Sequence, residues 1–275
     1  MSWLLFLEPA LKKLRDNMEY SDLEKVYSHE KNQTLLKYPQ LTKKIENAIS
    51  SSFSLYYSIR NLILTQKTKD KTILAYFYRN SIYLSSSYSL ILKGMIDPAA
   101  NNFRTVFETI CWSYAFDNEE TFIAFEEISN LENEKITKNW STTKERKLQN
   151  LRRKNNFQKM LKTIYTDFDK FFSTPYWILS QKSHPSLFGA NFNTPSMEGF
   201  ATIDKNPSEV FGYLRNCLFL LAENLLCFVN KFFALIDKKE LTLLLSLISD
   251  LHNETNQNFS LVPDKLKTEY KLVIK

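Results

Sequence analysis

The amino-acid sequence predicts an all-α protein, a multi-helix bundle, and three observations carry that reading. Glycine occurs only four times in 275 residues, against an average usage of about 7%, so the supply for hairpin turns and phosphate-cradling loops is thin. Apolar residues recur with a period near 3.6 over segments of twenty residues and more. Apolar content is 44% and charged content 24%, ordinary globular values that exclude a largely disordered chain. The 21 Phe, 14 Tyr and 4 Trp supply a large core.

In order, segments 2–19 and 21–36 read as two helices parted at Tyr20-Ser21-Asp22, with Pro39 closing the second. Segment 40–66 follows with Leu41, Ile45, Ile49, Leu55, Ile59 and Ile63 on one face. The polar stretch Lys67-Thr-Lys-Asp70 interrupts it, and 71–93 resumes the helical pattern. Gly94 suits the left-handed residue that ends a helix. Asp97 then reads as the cap of the next helix, with Pro98 at its first position.

Segment 130–170 changes character. From Lys135 to Lys162 there are ten Lys/Arg against one acid, Glu145, while the whole chain carries only +6. The basicity is therefore local, and helical spacing over 144–170 predicts a protruding basic helical arm. A short helix at 174–183 ends at His184-Pro185, followed by 185–206, which lacks helical pattern. Asn206-Pro207-Ser208-Glu209 opens a helix over 207–236 that is apolar almost all round, apart from a seam at Asn216, Glu223 and Asn230. Such a helix runs through the middle of a bundle. Helix 238–252 and a tail near 262–270 complete the chain. We expect a single domain over 1–275: an N-terminal helical extension at 1–37, a core bundle at 38–129 and 171–255, and a basic insertion at 130–170.

Three cysteines (Cys111, Cys217, Cys227) and three widely separated histidines give neither a disulfide framework nor a metal-ligand spacing. No metal and no cofactor are expected. The N-terminal apolar run is too short for a signal peptide, and the apolar stretch 217–236 is broken by polar residues. A cytoplasmic protein with no membrane association is the expectation.

On a helical wheel of 98–116, Arg104 falls inside the apolar face and Glu108 at its edge one turn on. Asn102, Thr105, Thr109 and Ser113 fall opposite. A buried guanidinium demands a partner, and Glu108 supplies one. Two readings follow: an internal ion pair that fixes the helix, or a pocket in which Arg104 meets a phosphate. His184, at a helix end and the mouth of the long loop, suits either a general base or a helix-terminal cap. His29 and His252 sit among polar neighbours and read as surface residues.

The stretch Leu90-Ile-Leu-Lys-Gly-Met-Ile-Asp-Pro-Ala-Ala-Asn-Asn-Phe-Arg-Thr-Val-Phe-Glu108 and the stretch Tyr176-Trp-Ile-Leu-Ser-Gln-Lys-Ser-His-Pro-Ser186 together resemble a family of uncharacterised prokaryotic all-helical proteins. Its motifs are Arg-x(3)-Glu on one helix and Ser-x(3)-His-Pro-Ser further on. The family is similar to HEPN-like bundles, many of them RNA-cleaving toxins or defence effectors. The resemblance implies a HEPN-like four-helix core with added terminal helices. It also implies a metal-independent ribonuclease in a toxin or defence setting, with Arg104, Glu108 and His184 as catalytic residues, and a homodimer. HEPN nucleases carry Arg-x(4–6)-His on one helix; here Arg104 would take that arginine's place from another helix. The basic arm, with Lys144, Arg146, Lys147, Arg152, Arg153 and Lys154, would bind RNA or another polyanion through its phosphates. The alternative is a non-catalytic binding or scaffold protein whose Arg/Glu/His cluster is structural.

Overall fold

A computed structural model describes residues 20–65, 67–137, 140–165, 207–255 and 260–263. Helices account for nearly all of them: α1 (Tyr20–Lys37), α2 (Pro39–Ile63), α3 (Thr68–Leu92), α4 (Ile96–Ala115), α5 (Glu119–Thr137), α6 (Thr142–Lys154), α7 (Phe157–Ile164), α8 (Pro207–Phe232) and α9 (Lys238–Thr255). Among the described residues there is no strand. The expected helix at 2–19, the helix at 174–183, the loop at 185–206 and most of the C-terminal tail lie outside the described residues, and His184 with them.

Helices α2, α3, α4 and α8 make the central bundle, and α8 touches the other three as well as α9. Thirteen consecutive residues of α8, Cys217 to Val229, are buried. No solvent-facing stripe survives there because helices cover every side, which explains the all-round apolar sequence. By length and composition Val210–Leu235 is apolar enough to cross a membrane, yet 72% of its apolar window is buried inside the bundle. Helix α1 packs on α2 and α3.

The corner between α3 and α4 follows from local chemistry. Gly94 takes φ 77°, the left-handed conformation that a Cβ disfavours. Gly94 N donates to Ile91 O at 2.9 Å and Met95 N to Leu90 O at 2.7 Å, satisfying two carbonyls at the end of α3. The next helix begins two residues earlier than expected: Met95 is the N-cap position and Asp97 lies within the first turn. Past the corner, small residues let the two helices close on each other, with Ala99 and Ala100 fully buried and Ser87 Oγ donating to Ala99 O at 3.4 Å.

The insertion is two helices and a return, with α5 as its unforeseen half. Helix α5 starts behind Asn118, whose Oδ1 accepts from Thr121 N, and α6 packs antiparallel on it. Leu131 and Leu148 are buried apart from the main core, which takes in Phe122 at the start of α5. The expected continuous helix over 144–170 is broken at Asn155-Asn156, because Asn156 Oδ1 caps Lys159 N at 2.9 Å and starts α7. Helix α7 then folds back onto α4, burying Met160 and Leu161.

Candidate functional site

Arg104 and Glu108 do meet. Arg104 Nε donates to Glu108 Oε1 at 2.9 Å along one face of α4. Their side chains are 24% and 30% exposed, so the guanidinium sits at the margin of the bundle rather than inside it as the wheel predicted. An exposed i,i+4 pair contributes only about 0.3–0.5 kcal/mol, so this one neither locks the core nor is sealed from a ligand. Whether His184 joins them falls outside the described residues.

Two of the four residues placed opposite the apolar face of α4 are taken into the core as well. Thr109 and Ser113 are buried because α3 covers that side. Thr109 Oγ1 donates to Asn80 Oδ1, and Asn80 Nδ2 donates to Asn224 Oδ1 at 3.0 Å. Asn224 Nδ2 reaches Phe77 O at 3.5 Å. This chain of amides ties α3, α4 and α8 together, with Asn80 and Asn224 at 1% and 2% exposure. Burial at that depth requires bonded partners.

A second buried polar group lies under the chain's later segments. Glu223 is fully buried on α8, and its Oε2 accepts from Leu261 N at 2.8 Å and Ser260 Oγ at 3.2 Å. Tyr165, at the end of α7, donates its hydroxyl to Leu261 O. Both backbone groups of Leu261 are therefore held by buried side chains. His252, expected at the surface, is buried, and its Nε2 lies 3.4 Å from Glu223 Oε1. Leu244, Ile248 and His252 recur at i, i+4 and i+8, so the ring shares the inward stripe of α9. Burial holds the His252 pKa down, to about 4. His29 is exposed, as expected.

The three cysteines are buried and unbridged, and burial pushes each thiol upward, which makes them poor nucleophiles at neutral pH. No group of three or more His, Cys, Asp or Glu among the described residues is arranged to hold a metal ion.

The basic segment divides by face. Lys147 pairs with Glu127 at 2.6 Å and Arg152 with Glu132 at 2.7 Å; Lys144 pairs with Glu134, and Lys135 with Glu145 at 2.7 Å. Glu145 also accepts from Trp140 Nε1 and Gln149 Nε2, and these donors, Lys135 first, pull its pKa down to about 2. The strong local excess thus reflects where the window began. Extended back over α5 to Glu119, the stretch holds seven acids against the same ten cations. Arg146 and Arg153 on the other face of α6, and Lys154 at its end, are exposed, and none of them pairs with a carboxylate among the described residues. Lys159 continues the exposed row onto α7, its Nζ on Arg153 O. A cleft of ≈ 290 Å³ between α5 and the α6–α7 corner is walled by Trp112, Phe125 and Ile128, with Arg152 at its edge. Neither Arg104 nor Glu108 lines it.

No family model, curated protein or solved structure matches the chain.

Proposed function

We propose that the protein is a helical module that binds RNA through its phosphates. The observation that carries this reading is the unpaired outer row of the insertion. Arg146 and Arg153 face away from the glutamates of α5 that neutralise their neighbours, and Lys154, at the end of α6, pairs with none of them. The outer cations make no ion pair within the hairpin, so they are available to a polyanion. The six basic residues picked out of the sequence accordingly separate into two jobs. Lys144, Lys147 and Arg152 hold α6 on α5, and the other three meet phosphate.

Affinity for a labelled RNA, followed by fluorescence anisotropy between 50 and 200 mM salt, tests this. About three or four phosphate contacts to a single strand give a slope of log K on log salt near −2 to −3. Reversing charge at Arg153 and Lys154 should flatten that slope. A wild-type affinity indifferent to salt overturns the reading.

A second reading keeps the resemblance to HEPN-like bundles, and the partial exposure of the Arg104–Glu108 pair favours it. Arg104 would hold the scissile phosphate, His184 would move a proton to or from the 2′-hydroxyl, and Glu108 would orient the guanidinium, in a homodimer if the analogy extends to assembly. Cleavage of RNA without added metal by wild type, lost in His184→Ala, is the expected outcome. Equal cleavage by both, or by neither, ends this reading.

A further inference from the structure

A second cationic surface lies on α2 and α3, away from the insertion. Residues 47–92 carry Arg60, Lys67, Lys69, Lys71 and Arg79 against one acid, Asp70. Lys69 reaches Glu119 of α5 at 3.4 Å. Interleaved with these cations are tyrosines. Tyr57 is 51% exposed with the Arg60 guanidinium 4.9 Å from its ring centre. Tyr56 and Tyr78 stack at 4.2 Å with an interplanar angle of 26°, and Tyr57 meets Tyr56 edge-on at 5.3 Å. Arg79 lies 4.9 Å from the Tyr76 ring centre and 6.0 Å from that of Tyr83.

We infer that this surface is a stacking platform for the unpaired bases of single-stranded RNA, with Tyr57 and Tyr78 as the stacking rings and Arg60 and Arg79 as the phosphate contacts. The inference rests on the RNA-binding reading and deepens it by naming the form of the strand.

Planar rings with guanidinium groups stacked on them are the combination by which single strands are held irrespective of sequence. A duplex, whose bases are already stacked on one another, gains nothing from the rings. A second copy of this chain is a poor occupant, since a two-fold contact would set the same five cations against themselves. An acidic protein would satisfy the arginines and leave the ring faces without purpose. Helix α5 touches both cationic regions: its Phe125 meets Tyr76, and its glutamates hold α6. A strand lying across the molecule would meet the insertion with its phosphates and the α2–α3 surface with its bases and the phosphates between them.

The test compares three probes on the full chain: an oligouridine of about 12 nucleotides, within the usual site size, a hairpin duplex RNA with as many phosphates, and inorganic polyphosphate as a base-free polyanion. Wild type should prefer oligouridine to the duplex. The double variant Tyr57→Leu/Tyr78→Leu should lose tenfold or more on oligouridine and less than twofold on the other two probes. Tyr57→Phe/Tyr78→Phe should retain the affinity, because the rings remain. Should the double leucine variant melt early, Tyr57→Leu alone, at an exposed position, gives the same comparison. Parallel losses on oligouridine and polyphosphate, no change on either, or a change in oligomeric state upon substitution would each overturn the inference. Binding of polyphosphate but not of oligouridine by wild type overturns it and leaves a phosphate-binding module standing. Binding of none of the probes removes both readings.

Discussion

Helices α8 and α6 carry their polar residues in opposite settings. On α8, Glu223 and Asn224 are withdrawn from water and answered by donors and acceptors on α3 and the segment at 260–261. On α6, cations line up against α5 glutamates at the protein surface, their side chains between 43% and 58% exposed. Distances in the second set are as short as in the first. The difference is the alternative each group faces. A surface cation that loses its carboxylate regains water, so such a pair is worth about 0–1 kcal/mol. A buried group that loses its partner regains nothing, and an orphaned buried charge costs about 3–5 kcal/mol. The insertion therefore looks electrostatically rich in sequence and is energetically light, while the two polar residues of α8 carry the larger weight.

The sharpest way to break that contrast is Glu223→Ala. It strips the acceptor from Leu261 N and Ser260 Oγ and should cost about 3 kcal/mol in chemical denaturation; a loss under 1 kcal/mol would put Glu223 on the same footing as the surface glutamates. His252 gives a comparable effect spread over pH. Its folded-state pKa, about 4, lies below the ordinary value of 6.5, so between these values the unfolded chain binds more protons than the folded one. The contribution is present in full above pH 6.5 and is lost as pH falls through about 4, amounting to roughly 3 kcal/mol. His252→Gln should flatten the acid limb of a pH–stability curve over that window, and an unaltered limb would sink the assignment. Next in size, Asn80→Leu should cost about 2 kcal/mol, since it leaves the Thr109 hydroxyl and the Asn224 carbonyl inside the core with one bond fewer.

The same contrast explains what sequence reading reached. Helix period, the Gly94 stop and the apolar density of 207–236 led directly to the central bundle, because burial of apolar surface is what those patterns record. The wheel of α4 misplaced Thr109 and Ser113 because it assumed one covered side, and α3 covers the other. Hydroxyls that bond back to their own helix, as Ser113 does to Thr109 O at 2.9 Å, go inside cheaply. His252 was read from neighbours such as Asp250 and Glu254, which bind Lys44 at the surface. Its spacing from Leu244 and Ile248 was the better signal. The pairing of Arg104 with Glu108 was legible from i,i+4 spacing; the partners of Lys147 and Arg152 were not, since they depend on α5 lying antiparallel to α6. The tyrosine–arginine surface also escaped, because its residues come from two helices and no single run of sequence displays it.

The smallest expected effect sharpens the comparison from the surface side. A double-mutant cycle on Lys147 and Glu127, each replaced by Ala, should yield a coupling below 1 kcal/mol despite the 2.6 Å contact. That coupling should shrink further in high salt, because both partners are in reach of screening ions. Charge reversal at Arg153 and Lys154 should leave the melting temperature within about a degree, since neither side chain holds the hairpin. If reversal at those two positions instead destabilised the fold by 2 kcal/mol or more, the outer row would be structural. The division of α6 into an inner row that holds and an outer row that binds would then fail, however well RNA bound.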